Sequence, residues 1–114
     1  MGDEADQVNP GPEIIEVMRN LVKQADKLYG ARHYDHYDFL LSVSDRLAGA
    51  GIEHQRSSDN GVGSGYFKSW DTGFVSKDLL AHEYVHSWNG KYRRPAELWV
   101  PNFNVPMRAG LLWV

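Results

Sequence analysis

Between Ser76 and Asn89 the apolar residues Leu80, Tyr84, Val85 and Trp88 fall at helical spacing, and Gly90 follows as a stop, with Lys91, Arg93 and Arg94 just beyond it. This spacing predicts an amphipathic helix, and inside it lies His82-Glu83-Tyr84-Val85-His86, a complete HExxH. Residues four apart on an α-helix share a face and lie about 6 Å apart along the axis, so His82 and His86 can direct both imidazoles at one metal ion. Glu83 adjoins that face and can reach a metal-bound water without ligating the metal, which is the position a general base needs. Zinc would lower the pKa of such a water toward ~7, so the chemistry expected of this helix is amide hydrolysis. The bland alternative is a surface helix with a Glu placed by chance between two histidines. The position of the motif wholly inside a predicted helix favours the metal.

The rest of the chain bounds what can surround that helix. Its 114 residues suffice for one core, and 42% apolar with 24% charged residues is the composition of an ordinary folded domain. Twelve basic against 15 acidic side chains, a net charge of -3, give no general attraction to nucleic acid or anionic lipid. No run approaches the ~20 apolar residues of a membrane span, so neither nucleic acid nor membrane is an expected partner. With no cysteine, a metal must be held by histidine and carboxylate. The compartment is left open.

Residues 1–12 read as a flexible lead-in, polar and acidic up to Pro10, Gly11 and Pro12. Ile14, Met18, Leu21, Ala25 and Leu28 then recur at four-three spacing before Gly30, an amphipathic helix with its stop. Tyr37, Phe39, Leu41 and Val43 alternate as in a strand with one buried face. A turn through Asp45 to Gly51 precedes Ile52–Ser58, read as a strand near an edge, and the Gly-rich stretch DNGVGSG reads as a loop. Pro95, Pro101 and Pro106 break up the stretch containing Trp99, Phe103 and Met107, which suggests an extended segment laid across the body. Helices and strands without regular alternation indicate an α+β fold with a short mixed or antiparallel sheet. The apolar run LLWV at residues 111–114 reads as a buried element cut short, so residues 13–114 are expected to be a partial domain.

A catalytic zinc site needs three protein ligands and an open position. No histidine follows His86, which excludes the metzincin arrangement of a Gly and a third His shortly after the motif. A gluzincin takes a later Glu, and the only acidic residue after His86 is Glu97, which lies in the Pro-broken stretch and reads as a solvated carboxylate. Glu97 is thus a poor candidate for the third ligand, and the residues alone supply no better one.

The stretch AHEYVHSWNGKYRRP, with the upstream GIEHQRSS and LLWV, resembles the glycyl aminopeptidase family of zinc peptidases. In that family a Gly-rich stretch ending in Glu-His precedes HExxH, and the catalytic helix runs on into Trp-Asn and a basic Arg-Pro segment. Here these are Gly51, Ile52, Glu53 and His54, then Trp88, Asn89, Arg93, Arg94 and Pro95, and the similarity covers roughly positions 34 to 114. The resemblance implies a thermolysin-like catalytic domain, zinc, peptide substrates with a free N-terminus, and flanking domains of the parent chain, often including a peptide-binding PDZ domain. It also implies a third-ligand Glu beyond LLWV, so that the chain alone would bind zinc weakly and hydrolyse little. By the same resemblance Glu53 pairs with the substrate's α-amino group at the rim of the cleft. The contrasting expectation is a non-catalytic binding or scaffolding domain that keeps HExxH as a relic or structural metal site.

Other candidates take simpler readings. His33, His36 and His54 lack helical pairing and read as structural. Lys91, Arg93 and Arg94 follow a helix C-terminus, where the dipole favours cations. Tyr66, Tyr84 and Tyr92 could each face an oxyanion, and the spacing selects none of them.

Overall fold

The computed structural model describes residues 1–47, 49–72 and 76–108. In chain order its elements are a 3₁₀ turn (Ala5–Val8), helix α1 (Pro12–Tyr29), strands β1 (Asp38–Val43), β2 (Gly51–Glu53) and β3 (Ser57–Val62), helix α2 (Leu79–His86) and a second 3₁₀ turn (Ala96–Leu98). Two helices and a small mixed sheet make an α+β arrangement, as the sequence predicts. No described helix is long and apolar enough to cross a membrane.

Helix α1 opens with Pro12 in its first turn and closes at Gly30, whose φ of 63° is left-handed and whose N–H donates to the Asp26 carbonyl at 3.0 Å. Ile14 and Ala25 are buried, and Met18 and Leu21 pack partly buried against the core cluster of Val43, Val62, Tyr66 and Leu80. Leu28, expected on the same stripe, is 74% exposed instead. A strict four-three repeat drifts around a helix of 3.6 residues per turn, so by the last turn the stripe has rotated off the core. Tyr29 takes the inward place and stacks on Trp88 with ring centroids 4.6 Å apart.

The sheet order is β1-β3-β2. β1 and β3 run parallel, setting Phe39 opposite Ser58, Leu41 opposite Asn60 and Val43 opposite Val62. β2 runs antiparallel to β3, with Gly51 opposite Asn60 and Glu53 opposite Ser58. The single edge strand expected over Ile52–Ser58 is therefore two strands joined at His54–Arg56. Asp59 to Val62, expected as the start of a loop, instead continue Ser57 and Ser58 into the central strand of the sheet. Its inward side chains Ser58 and Asn60 are fully buried, and the Asn60 Nδ2 group is hydrogen-bonded within the sheet while its Oδ1 has no partner. The Asn60 amide donates to Ser58 Oγ at 2.9 Å and to the Leu40 carbonyl at 3.0 Å. A buried polar strand is tolerable when its hydrogen bonds close within the sheet.

Residues 1–3 lie along the outer edge of β1, where Gly2 bridges to Val43, and in the 3₁₀ turn that follows Asp6 pairs with Lys68 at 2.7 Å. α2 packs on β2 and β3. One core cluster, Val43, Val62, Tyr66 and Leu80, joins the sheet to α2. A second, Ala25, Tyr84 and Trp88 with Tyr29, Tyr34, Tyr37 and Phe39 around it, joins α1 to α2. α2 is shorter than its expected span: it ends at His86, Ser87 and Trp88 continue as turns, and Asn89 bridges to Arg93. Gly90 then reverses the chain at φ 108°, with its N–H bonded to the Arg93 carbonyl. Among the described residues after Pro95, Leu98 is the only large apolar side chain that is buried, while Trp99, Phe103 and Met107 are exposed. The segment expected to lie across the body folds back on itself instead, the Arg108 N–H reaching the Glu97 carbonyl. LLWV lies outside the described residues.

Candidate active site

α2 holds the motif because its apolar side chains sit where the helix meets the sheet. Leu80 and Tyr84 anchor it to the two core clusters, and Trp88, just past its end, donates from Nε1 to the Ala31 carbonyl at 2.8 Å. With those positions turned inward, His82 is left at the surface and His86 and Glu83 are buried beside it.

The imidazoles of His82 and His86 converge. Their Nε2 atoms are 3.1 Å apart, with ring planes at 79°. Two nitrogen ligands on one tetrahedral zinc, each at 2.0–2.1 Å, lie about 3.3 Å apart, so the pair has the separation one ion requires. On the far side of the ring, His86 Nδ1 lies 3.0 Å from the Asn89 carbonyl. That carbonyl can only accept, so Nδ1 is the donor there and Nε2 is the ring nitrogen turned toward His82.

Glu83 is only 4% exposed, and its Oε2 has no hydrogen-bond partner. Burial pushes its carboxyl above the usual carboxylate range, and Glu53 pushes the same way, against the opposing pull of His82, His86 and Lys91. The backbone of β2 presses against this side chain: a Cβ placed on Gly51 would lie 1.9 Å from Glu83 Oε1.

Glu53, two residues further along β2, is half-buried and pairs with Lys91 Nζ at 3.4 Å. Burial alone would raise its carboxyl, but its own backbone N–H, Lys91 and His86 together hold it below the usual value. The structure thus brings Glu53 from the sheet, His82, Glu83 and His86 from α2, and Lys91 from the turn after it into one electrostatic neighbourhood. Lys91 was expected only as a helix-end cation. Gly51 was named for the resemblance without a structural role, although a strand's period of two places it on the same face as Glu53.

Glu97 stands exposed in the second 3₁₀ turn, and no group of three His, Asp or Glu residues that could hold a metal occurs among the described residues. The other histidines are engaged elsewhere. His33 Nε2 meets Ser87 Oγ at 2.8 Å and its ring stacks on Tyr92, His36 faces Asp38 at 3.6 Å, and His54 Nδ1 meets Ser57 Oγ at 3.3 Å. Tyr84 is wholly buried with its hydroxyl on that of Tyr34, far from a role at an open cleft.

No curated protein matches the chain. The family model described as M61 glycyl aminopeptidase matches residues 76–114, the span that opens just before α2 and includes His82, Glu83, His86 and Lys91. Gly51 to His54, which also carry the resemblance in sequence, lie upstream of the matched span. Over residues 76–114 this chain is therefore similar to a family of peptidases, the M61 glycyl aminopeptidases.

Proposed function

We propose that this sequence is part of the thermolysin-like catalytic unit of a zinc-dependent aminopeptidase. His82 and His86 are its metal ligands, Glu83 its general base and proton shuttle, and Glu53 its contact for the substrate's α-ammonium. The observation that carries this reading is the 3.1 Å approach of two Nε2 atoms beside a buried carboxylate. Zinc held by the two imidazoles would supply Lewis acidity, polarising the scissile carbonyl and acidifying a coordinated water.

The protein's own groups do the rest. Glu83, made more basic by burial, takes a proton from the attacking water as its oxygen bonds to the carbonyl carbon. As the C–N bond breaks, the same carboxyl returns that proton to the departing amine nitrogen. Glu53, held ionised by Lys91 and its own backbone, offers a negative charge to an N-terminal ammonium. A third ligand, a carboxylate in this reading, comes from outside the described residues. The 114-residue chain alone is therefore expected to bind zinc weakly and to show little or no peptidase activity.

The test is a zinc titration followed on the histidine ring NMR signals, with His82→Ala as control. His82 and His86 shift together in the wild type, and the control loses the response at His86. If the signals of His82 and His86 stay unchanged at zinc concentrations well above that of the protein, and still do so in a protein extended past Val114 to include the later carboxylate, the metal assignment fails.

A further inference from the structure

Gly51 sits in a strand, where glycine weakens pairing and leaves no side chain to pack. Its backbone does not require glycine, because the only positive φ values in the described chain are at Gly30 and Gly90. What distinguishes the position is the close approach of Glu83. A Cβ on Gly51 would meet Glu83 Oε1 at 1.9 Å, Cδ at 2.3 Å and Cγ at 2.7 Å, all inside the 3.0 Å that real Cβ contacts keep. Gly11 has a similar clash with Glu13, but Glu13 is exposed and can swing away. Glu83 cannot, because it is buried between α2 and the sheet.

We propose that Gly51 is a positioning residue for Glu83: the side chain missing from β2 is the slot in which the carboxyl sits, turned toward the space beside His82 and His86. The proposal rests on the reading of Glu83 as general base. It assigns the Gly-x-Glu of β2 two tasks on one face of the strand, Gly51 making room for the base and Glu53 supplying a charge two residues on, while Ile52 between them points outward and is exposed. Any side chain at position 51 would move the carboxyl away from the bond it serves, and misplacement by about 1 Å costs on the order of 10²-fold in rate.

The experiment compares the chain with its Gly51→Ala variant after labelling the glutamate carboxyl carbons with ¹³C, in the presence of a chelator. A displaced Glu83 resonance, with the His82 and His86 ring signals unmoved, is the expected result. An unmoved Glu83 resonance in a folded Gly51→Ala protein overturns the proposal. If Gly51→Ala does not fold, Gly51→Ala combined with Glu83→Ala decides: recovery of the fold once the carboxyl is gone supports the slot, and failure to recover overturns it. In an active peptidase containing this sequence, Gly51→Ala should lower kcat about 10²-fold with KM within about twofold. A wild-type protein without peptidase activity would remove the function proposed above, but would leave the carboxyl displacement standing.

Discussion

Glu83 is kept in the fold at a cost. Its carboxyl is buried, one oxygen lacks a partner, and its pKa is raised by burial first and by Glu53 second. A folded-state pKa above the unfolded one means that the native protein binds the proton more tightly, so stability falls as pH rises from the ordinary carboxylate value through the raised one. With a chelator present, Glu83→Gln should therefore stabilise the chain at neutral pH by on the order of 1 kcal/mol, an advantage that disappears in acid, where wild-type Glu83 is protonated. Thermal unfolding of both proteins from pH 4 to 8 checks this; equal midpoints at pH 7 would mean that the carboxylate is better solvated than its burial implies. Glu53 has the opposite sign. Its depressed pKa contributes stability above the unfolded value, and that contribution is lost as pH falls through the folded value. Lys91→Met removes one of the groups that overcome its burial, so the Glu53 carboxyl should titrate at higher pH, as read by NMR. At this scale the convergence of His82 and His86 was legible because a helix turns a spacing of four into a shared face. Lys91 was not, because its partner lies on a strand nearly forty residues away and no local period connects the two.

Legibility changes sharply between the helices and β3. α1 announces itself by Pro12, a repeating apolar stripe and Gly30, each acting within a few residues. β3 is Ser-Ser-Asp-Asn-Gly-Val, a composition of turn formers, and nothing in its hydropathy alternates. It is a strand because β1 and β2 hydrogen-bond it from both sides and because Asn60 and Ser58 answer each other inside the sheet. Tertiary context here overrides local propensity. The consequence is testable by urea unfolding. Asn60→Ala should cost about 1–3 kcal/mol by leaving buried partners unmatched. Asp59→Ala, exposed on the same strand, should stay within about 0.5 kcal/mol. Equal losses at the two positions would show that β3 is not held by its inward amide.

For the molecule as a whole, the aromatic layer between α1 and α2 sets how firmly the site is mounted. Trp88 stacks on Tyr29, meets Tyr84 edge-on with centroids 5.0 Å apart, and bonds to Ala31 through its indole N–H. Trp88→Ala should lower stability by about 3–5 kcal/mol, and denaturant unfolding of the chain would show it. A loss below 1 kcal/mol would mean that the layer does not brace the two helices. The α+β class was readable from the mix of periods. The route of the chain after Pro95 was not, since prolines tell where regular structure stops and leave open where the chain goes next.

The parts of the site also differ in when they can form. His82 and His86 are brought together by one helical turn, a contact that closes over four residues. Gly51 meets Glu83 only after roughly thirty residues of intervening chain have been folded back, at a larger cost in loop entropy. The nitrogen pair is thus set by local structure and the seat of the carboxyl by the tertiary fold, so a change that loosens α2 from β2 acts on the carboxyl directly and on the nitrogen pair only through the helix.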